Sequence, residues 1–376
     1  MGQESDGVTR RSLLLAGLGT AAHLFATPAS ARAKPMLPPI PVFDARTVGL
    51  VGLARARVPQ MVTLLNSCLG TLDLAERAGV VAADALARGW LKGTKTPYAA
   101  ELDDIAALVP QAGVYLLNAS YEWGCTTLAA PAPDRKSARL LRTLDWSFNG
   151  LGRSIEAIRQ RGEAGEFLNL TWPGAVGVLS ALAPGRFAAT INQAPARNGA
   201  AEGMIATLLG QGTRFLSTSA MPSMHLLREV FEKARDFDEA RRMIETTPIA
   251  SPTIFTLVGM AADQTCVIER TETDHVTHVG ISSAANSWHY ADFRDGWDGR
   301  DRDPASDSAE RRRLIERLGR PAETPFAWVR PPVRNGLTRL AVELDPARSE
   351  VWVRGYERIG DSEDAAPVTA DLHLVV

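Results

Sequence analysis

Residues 120 to 148 constrain the fold more than any other stretch of the chain. Cys125-Thr126-Thr127-Leu128-Ala129-Ala130 is a short β-type run preceded by Gly124, and residues 131–137, rich in Pro, Asp, Lys and Ser, reverse the chain. Ala138 to Leu144 is a second β-type run that leads to Asp145. A thiol at the head of one strand thus has a guanidinium, Arg142, and a carboxylate, Asp145, near the end of the next. Positions 142 and 145 are three apart, so on an unbroken strand their side chains face opposite ways. Both reach the thiol only if the strand ends or bulges near Leu144.

The remaining segments divide into helical and β-type blocks around this hairpin. Residues 34–45 are Pro-rich and read as an extended lead-in. From about Thr47 to Trp90 the pattern is helical, with Val58, Met61, Val62, Leu64 and Leu65 and then Leu74, Ala78, Val81, Ala82 and Ala85 at helical spacing. Tyr98 to Leu108 is a third helical stretch, and Gln111 to Leu117 leads into the hairpin. Strands are expected at Phe167 to Trp172, Ala175 to Leu182 and Arg186 to Asn192, separated by Pro173-Gly174 and Pro184-Gly185. Met204 to Leu209 and Met221 to Thr247 read as helices, the latter restarted by the capping pattern at residues 236–239. Strands resume at Thr253 to Val258, Thr265 to Thr271 and His275 to Ile281. A polar loop follows at 291–308, then an Arg-rich helix, Ser308 to Leu318. A hairpin of Thr338 to Leu344 with Glu350 to Tyr356 closes the chain. Strand pairs joined by tight turns argue for antiparallel sheets. The segments fit an α+β chain, a four-layer αββα sandwich with two stacked antiparallel sheets.

At 376 residues there is room for one large domain or two of ordinary size. A net charge of −2 gives no electrostatic reason to expect nucleic acid or an anionic membrane as partner. Residues 1–33 read as a targeting segment. They hold Thr9-Arg10-Arg11-Ser12-Leu13-Leu14, a twin-arginine pattern, then a mildly apolar run and small-x-small cleavage sites ending at Ala31 and Ala33. Export in the folded state, to the periplasm or beyond, is the expectation, with an uncleaved anchor as the alternative. Of the three cysteines, Cys68, Cys125 and Cys266, none forms a C-x-x-C pair. No zinc site, metal or cofactor is expected. Cys68 and Cys266 are either a disulfide or two buried unpaired thiols.

A cysteine nucleophile needs a base, and the usual one is histidine. None of the six histidines stands in a papain-like signature with Cys125. The alternative base is the cysteine's own α-amino group, freed if the Gly124–Cys125 bond is cut. A terminal amine has a pKa of about 7.7 to 8, close to that of a thiol, and can take its proton near neutral pH. Arg142 would favour the thiolate, Asp145 could hold the ammonium, and Asn side chains could donate to an oxyanion.

The run Tyr115-Leu116-Leu117-Asn118-Ala119-Ser120-Tyr121-Glu122-Trp123-Gly124-Cys125-Thr126-Thr127, followed by Leu141-Arg142-Thr143-Leu144-Asp145-Trp146, resembles the acid ceramidase and N-acylethanolamine acid amidase branch of the N-terminal nucleophile (Ntn) hydrolases. That branch is related to the choloylglycine hydrolases and penicillin V acylases. The likeness continues at residues 174–177, 189–193, 246–252, 266–270 and 285–289, and covers most of the chain from Tyr98 to Tyr356. It implies the Ntn hydrolase fold and a self-cleaving cysteine amidase. Cys125 is then the nucleophile, freed by its own attack on the Gly124 carbonyl. Arg142 and Asp145 set and orient it, Asn286 and Asn192 line an oxyanion hole, and Arg311 is a second cation. Arg312 and Arg313 compete for that last place, and Asn192 also reads as a turn residue. Cleavage would leave fragments 34–124 and 125–376 as a heterodimer.

The implied substrate is a small N-acyl amide with an apolar acyl group, which Trp123, Trp146, Phe148 and Trp172 could line as readily as they could fill the core. The rivals are a penicillin V acylase or bile-salt-hydrolase type of activity, an acyltransferase, and a non-enzymatic exported lipid-binding protein. The helices at 47–90 leave peripheral contact with lipid open, beside packing on their own core.

Overall fold

The hairpin at 124–145 forms, and both sheets can be built outward from it. The computed structural model describes residues 36–70, 72–119, 124–195, 218–290, 293, 308–318 and 324–376. The expectations for the leader, for Tyr121, Glu122 and Trp123, for a helix at 204–209 and for most of the 291–308 loop fall outside the described residues. In chain order the strands are β1 (Val42–Asp44), β2 (Gly124–Pro131), β3 (Ala138–Asp145), β4 (Glu156–Gly162), β5 (Gly165–Thr171), β6 (Ser180–Ala183), β7 (Phe187–Gln193), β8 (Thr253–Val258), β9 (Thr265–Arg270), β10 (His275–Val279), β11 (Ser282–Ala284), β12 (Thr338–Asp345), β13 (Glu350–Arg358), β14 (Ala365–Pro367) and β15 (Leu372–Val375). The helices are α1 (Gly49–Gly70), α2 (Leu74–Gly93), α3 (Ala99–Ala106), α4 (Val114–Ala119), α5 (Ser223–Lys233), α6 (Phe237–Thr246) and α7 (Ser308–Leu318).

One sheet runs β1-β4-β5-β6-β7-β8-β9-β10; the other runs β11-β2-β3-β12-β13-β14, with β15 on β13. Every pairing between these strands is antiparallel except β1 on β4. The sheets stack face to face, β2 and β3 against β7 and β8. Their shared core includes Leu140, Leu144, Leu168, Ile191 and Phe255, all fully buried, each contributing roughly 1.5–3 kcal/mol. Helices α5 and α6 cover the outer face of the first sheet, and α7 lies on β2 and β11 of the second. Ile315 of α7 joins Phe326, Trp328 and Val333 there, over Leu128 and Leu141. The expected αββα layering is present, and residues 37–376 form one unit.

The two helical runs between 47 and 90 form two helices, and Asp73 and Glu76 form a capping box that starts α2 afresh: Asp73 Oδ1 accepts from the Glu76 amide at 2.8 Å and Glu76 Oε2 from the Asp73 amide at 2.9 Å. Several other features differ from expectation. The set Leu74, Ala78, Val81, Ala82 and Ala85 lies on the exposed side of α2, whose buried side is Val80, Ala83, Asp84, Ala87, Trp90 and Leu91. With both faces apolar, periodicity identifies the helix and not its inward face. Gln111 to Leu117 is not a lead-in but contains most of α4. Of the strand expected at 175–182, only the end forms; Gly174 sits at φ +82°, where a Cβ would come within 2.9 Å of Met61 Sδ. The lead-in at 34–45 ends as β1, paired in parallel with β4, a strand whose Glu156, Arg159 and Arg161 hide its period. Cys68, Cys125 and Cys266 are all buried and none is in a disulfide, so the reading as separate thiols holds.

The segment ahead of residue 124 is bound into the rest by polar contacts. Arg228 on α5 grips Glu101 with two bonds of 2.7 and 3.0 Å, bonds Glu232 at 2.8 Å and lies 4.0 Å from the Tyr98 ring centroid. Tyr98 Oη donates to Glu232 at 2.7 Å. Asn118 on α4 donates to the Gly174 carbonyl and accepts from the Val176 amide.

Candidate active site

Alternation along β2 decides what the hairpin offers to each face. Cys125, Thr127 and Ala129 point between the sheets, where Thr127 Oγ1 meets Thr256 Oγ1 of β8 at 2.8 Å. Thr126, Leu128 and Ala130 point outward beneath α7. On β3 the residue opposite Thr127 is Arg142, which therefore also points between the sheets.

Arg142 is fully buried and divided among three acceptors. Its Nη1 donates to Ser180 Oγ at 2.6 Å; its Nη2 donates to the Ile191 carbonyl at 3.0 Å and to Cys125 Sγ at 3.2 Å. Cys125 is itself fully buried with Gly124 attached. Burial pushes its thiol above the ordinary value, opposed by the Arg142 charge, assisted by the Asp145 carboxylate, and opposed again by the Arg142 hydrogen bond and by Arg311.

Asp145 does not share the thiol's face. β3 is continuous from Ala138 to Asp145 and pairs with β2 in regular register, so the bulge that would have brought both charges to Sγ is missing on that side. The irregularity lies on the other neighbour, where β12 shifts register between Thr338 and Leu340. Instead Asp145 is paired with Gly124, close enough that a Cβ on the glycine would lie 3.1 Å from Asp145 Cβ and 3.5 Å from its Oδ2. Its carboxylate thus flanks the Gly124–Cys125 junction rather than the sulfur. Thr338 Oγ1 donates to Oδ1 at 2.7 Å, Asn335 Nδ2 to Oδ2 at 3.1 Å, and Arg311 Nη1 is 3.5 Å from Oδ2.

The backbone of Cys125 is held on both sides. Its amide donates to Asn286 Oδ1 at 2.8 Å, and its carbonyl accepts from Arg311 Nη1 at 2.8 Å. Arg311 also donates to Thr126 Oγ1 at 3.0 Å and to Asn286 Oδ1 at 3.1 Å. This separates the three candidate arginines: Arg311 is buried, Arg312 pairs with Glu316 and Arg313 is exposed. Asn286 is anchored by its own amide on Ser308 Oγ and by Nδ2 on the Gln193 carbonyl. Asn192 lies within β7, paired with Ile254, so it is not a turn residue. Its Nδ2 donates to the Ala285 carbonyl at 3.1 Å and to Thr127 Oγ1 at 3.4 Å, while its buried Oδ1 meets no donor among the described residues. Of the residues singled out in the sequence, Arg142, Asn286 and Arg311 contact Cys125 and Asp145 lies beside Gly124, whereas the contacts of Asn192 are to Thr127 and Ala285. Ser180, Asn335 and Thr338 were missed.

The described histidines are engaged away from Cys125. His225 is buried with Nδ1 on Thr96 Oγ1, and burial with nearby Arg228 pushes its pKa down to about 3. His278 meets Glu269 and stacks on His289; His373 meets Glu350 and stacks on Trp352. His275 is exposed.

An apolar cleft, partly open to solvent, is lined by Met61, Leu65, Val114, Trp146, Trp172 and Leu179, among others. Leu179 accepts a hydrogen bond from Ile191, whose carbonyl lies 3.9 Å from Cys125 Sγ, so one wall of the cleft is bonded to the residue beside the thiol. Phe148 packs on Trp146 and stays in the core.

No family model matches the chain. Acid ceramidase of Macaca fascicularis is 24% identical over 253 residues, and acid ceramidase of Homo sapiens 23% over 253 residues. Each alignment covers 62% of this chain, which thus spans about 62% of the length of the curated relatives it matches. A solved Caenorhabditis elegans N-acylethanolamine-hydrolyzing acid amidase ortholog superposes with a TM-score of 0.45 at 20% identity, over 59% of this chain and 93% of that one. A mutant of the conjugated bile acid hydrolase from Clostridium perfringens gives 0.40 at 11% identity, over 66% and 96%.

Proposed function

We propose, from the premise that the chain belongs to the Ntn hydrolase family and to its acid ceramidase-like branch, that it is a self-cleaving amidase acting on the non-peptide C–N bond of an N-acyl substrate. The observation that carries this reading is the three-point hold on Cys125: sulfur by Arg142, amide by Asn286 and carbonyl by Arg311, with none of the described histidines engaged.

In the maturation step Cys125 Sγ attacks the Gly124 carbonyl carbon. The C–N bond breaks, the thiol proton passes to the departing amine, and water hydrolyses the thioester. The products are a Gly124 carboxylate and a free α-amine on Cys125. That amine serves as base in turnover. It takes the thiol proton, and Sγ attacks the substrate carbonyl. The proton then goes to the leaving amine, and water, deprotonated by the same group, releases the acid. Arg142 stabilises the thiolate; Asp145, beside the junction, orients the new ammonium; Arg311 fixes the backbone. Asn286 and Asn192 supply donors to the oxyanion once their amide groups face the substrate.

The apolar cleft at Leu179 suits an acyl chain, and fragments 34–124 and 125–376 stay together as a heterodimer through contacts such as Arg228–Glu101. Incubation with N-acylethanolamines, ceramides, penicillin V and conjugated bile acids, following amine release, tests the reading. Release from a fatty amide supports it. Preference for either of the last two substrates keeps the mechanism and replaces the substrate class. Transfer of the acyl group to an added amine makes it an acyltransferase. No release from any of them leaves only a binding protein.

Export by the twin-arginine route and contact with lipid belong to the same reading. No described helix is long and apolar enough to cross a membrane. The exposed apolar stripe of α2, with Leu74 85% and Val81 65% exposed, suits a phospholipid surface, although Arg88 and Lys92 beside it are paired with Asp103. Val81→Asp is expected to reduce co-sedimentation with anionic phospholipid vesicles at least severalfold while leaving hydrolysis of a soluble amide unchanged. Unaltered sedimentation of the variant would remove α2 as the contact.

A further inference from the structure

We infer that Asn335 and Thr338 are positioning residues for the Asp145 carboxylate, holding both its oxygens at the Gly124–Cys125 junction. The inference rests on the amidase reading above and adds to it a pair that lies nearly two hundred residues along the chain from the carboxylate it serves.

The two residues form a preassembled clamp. Asn335 is 6% exposed and Thr338 fully buried. The Asn335 amide donates to Thr338 Oγ1 at 3.0 Å, so the hydroxyl's own proton is directed to Asp145 Oδ1 at 2.7 Å. Asn335 Oδ1 accepts from the Leu337 amide at 2.8 Å, which fixes the side-chain amide with its Nδ2 toward Asp145 Oδ2 at 3.1 Å. Thr338 N closes the turn on the Asn335 carbonyl at 3.1 Å. The register shift in β12 after Thr338 is what aims this turn: Thr338 is opposite Asp145, whereas Leu340 is already opposite Leu144. One residue of slack thus places a hydroxyl and an amide on the carboxylate at the end of β3.

Two neutral donors on separate oxygens favour the ionised carboxylate and restrict its rotation without neutralising it. The remaining charge is shared with Arg311 at 3.5 Å and is left to orient an ammonium at Cys125. Neither residue touches Cys125 or the cleft, so they act through Asp145 alone.

The test compares Thr338→Val, Thr338→Ser and Asn335→Asp with the wild-type chain, following the rate of splitting, kcat and KM on the best amide, and the pH profile of each. Thr338→Val keeps the shape and removes the hydrogen bond. It is expected to lower splitting and kcat on the order of tenfold or more, to leave KM within about twofold, and to move the acid limb of the profile to higher pH. Thr338→Ser restores the rate to within about threefold. Asn335→Asp sets a second carboxylate against the first and moves the acid limb further upward. Thermal melts establish that each variant is folded. A folded Thr338→Val with wild-type kcat and pH profile would overturn the inference while leaving the amidase reading intact. A wild-type chain that neither splits nor turns over removes the amidase reading and the inference together.

Discussion

Cys125→Ala is expected to yield a folded chain that runs as a single band on denaturing gels and releases no amine from any N-acyl substrate. The substitution removes one buried sulfur from the inter-sheet core, a small change in a site lined by Leu144 and Ile191. It destabilises by no more than about 1–2 kcal/mol. The chemical loss is far larger. Without Sγ there is no attack on the Gly124 carbonyl, hence no free α-amine and no thioester. Loss of an obligatory nucleophile costs on the order of 10⁶-fold in rate. Cys68 and Cys266 serve as controls, because both lie buried outside any disulfide, and burial pushes both thiols up to about 12. Their alanine variants split and turn over as the unmodified chain does. Splitting that persists in Cys125→Ala would assign cleavage to another agent.

The second large effect is expected at Arg142. Its guanidinium is fully buried and serves Ser180, Ile191 and Cys125 at once. Arg142→Leu removes the strongest influence pulling the thiol pKa down, leaving burial and the Asp145 carboxylate to push it up. Because the thiolate is the reactive form, the rise of rate with pH moves to higher pH, and the rate near neutrality falls by about 10²–10³-fold. The stranded Ser180 hydroxyl and Ile191 carbonyl cost a further 1–3 kcal/mol or so each in stability. Arg142→Lys recovers part of the charge effect but cannot span three acceptors, so it lies between. An unshifted pH–rate profile in Arg142→Leu would show that the guanidinium does not govern the thiol.

Much of this site is legible in the amino-acid sequence, for a physical reason. Cys125, Arg142 and Asp145 belong to one hairpin, so period and register alone bring them together, and Arg311 and Asn286 follow from spacing along a known pattern. The hairpin also contains the site expectation that needed correction. Strand alternation puts Arg142 on the thiol's face and Asp145 on the other, and with β3 unbroken that alternation prevails. The carboxylate consequently lies beside Gly124 rather than at the sulfur, which counts against the expectation that it acts together with Arg142 on the thiol. Asn335 and Thr338 carry no local signal, since their meaning depends on a register shift in β12 and on a partner far away in sequence. Strand β4 is hidden by its charges, and Glu156 is buried there through its contact with Arg57. The inward face of α2 is hidden because its outward face is equally apolar, and that exposed stripe is what motivates the proposed lipid contact.

The account turns on whether the bond between Gly124 and Cys125 is broken by the chain itself. N-terminal sequencing of the large fragment, from protein purified without added protease, reads this directly. The predicted result is a sequence beginning Cys-Thr-Thr-Leu, from Cys125, found in the wild-type chain and absent from Cys125→Ala. A large fragment beginning at any other residue, or amide turnover by a chain that is never split, would contradict the account.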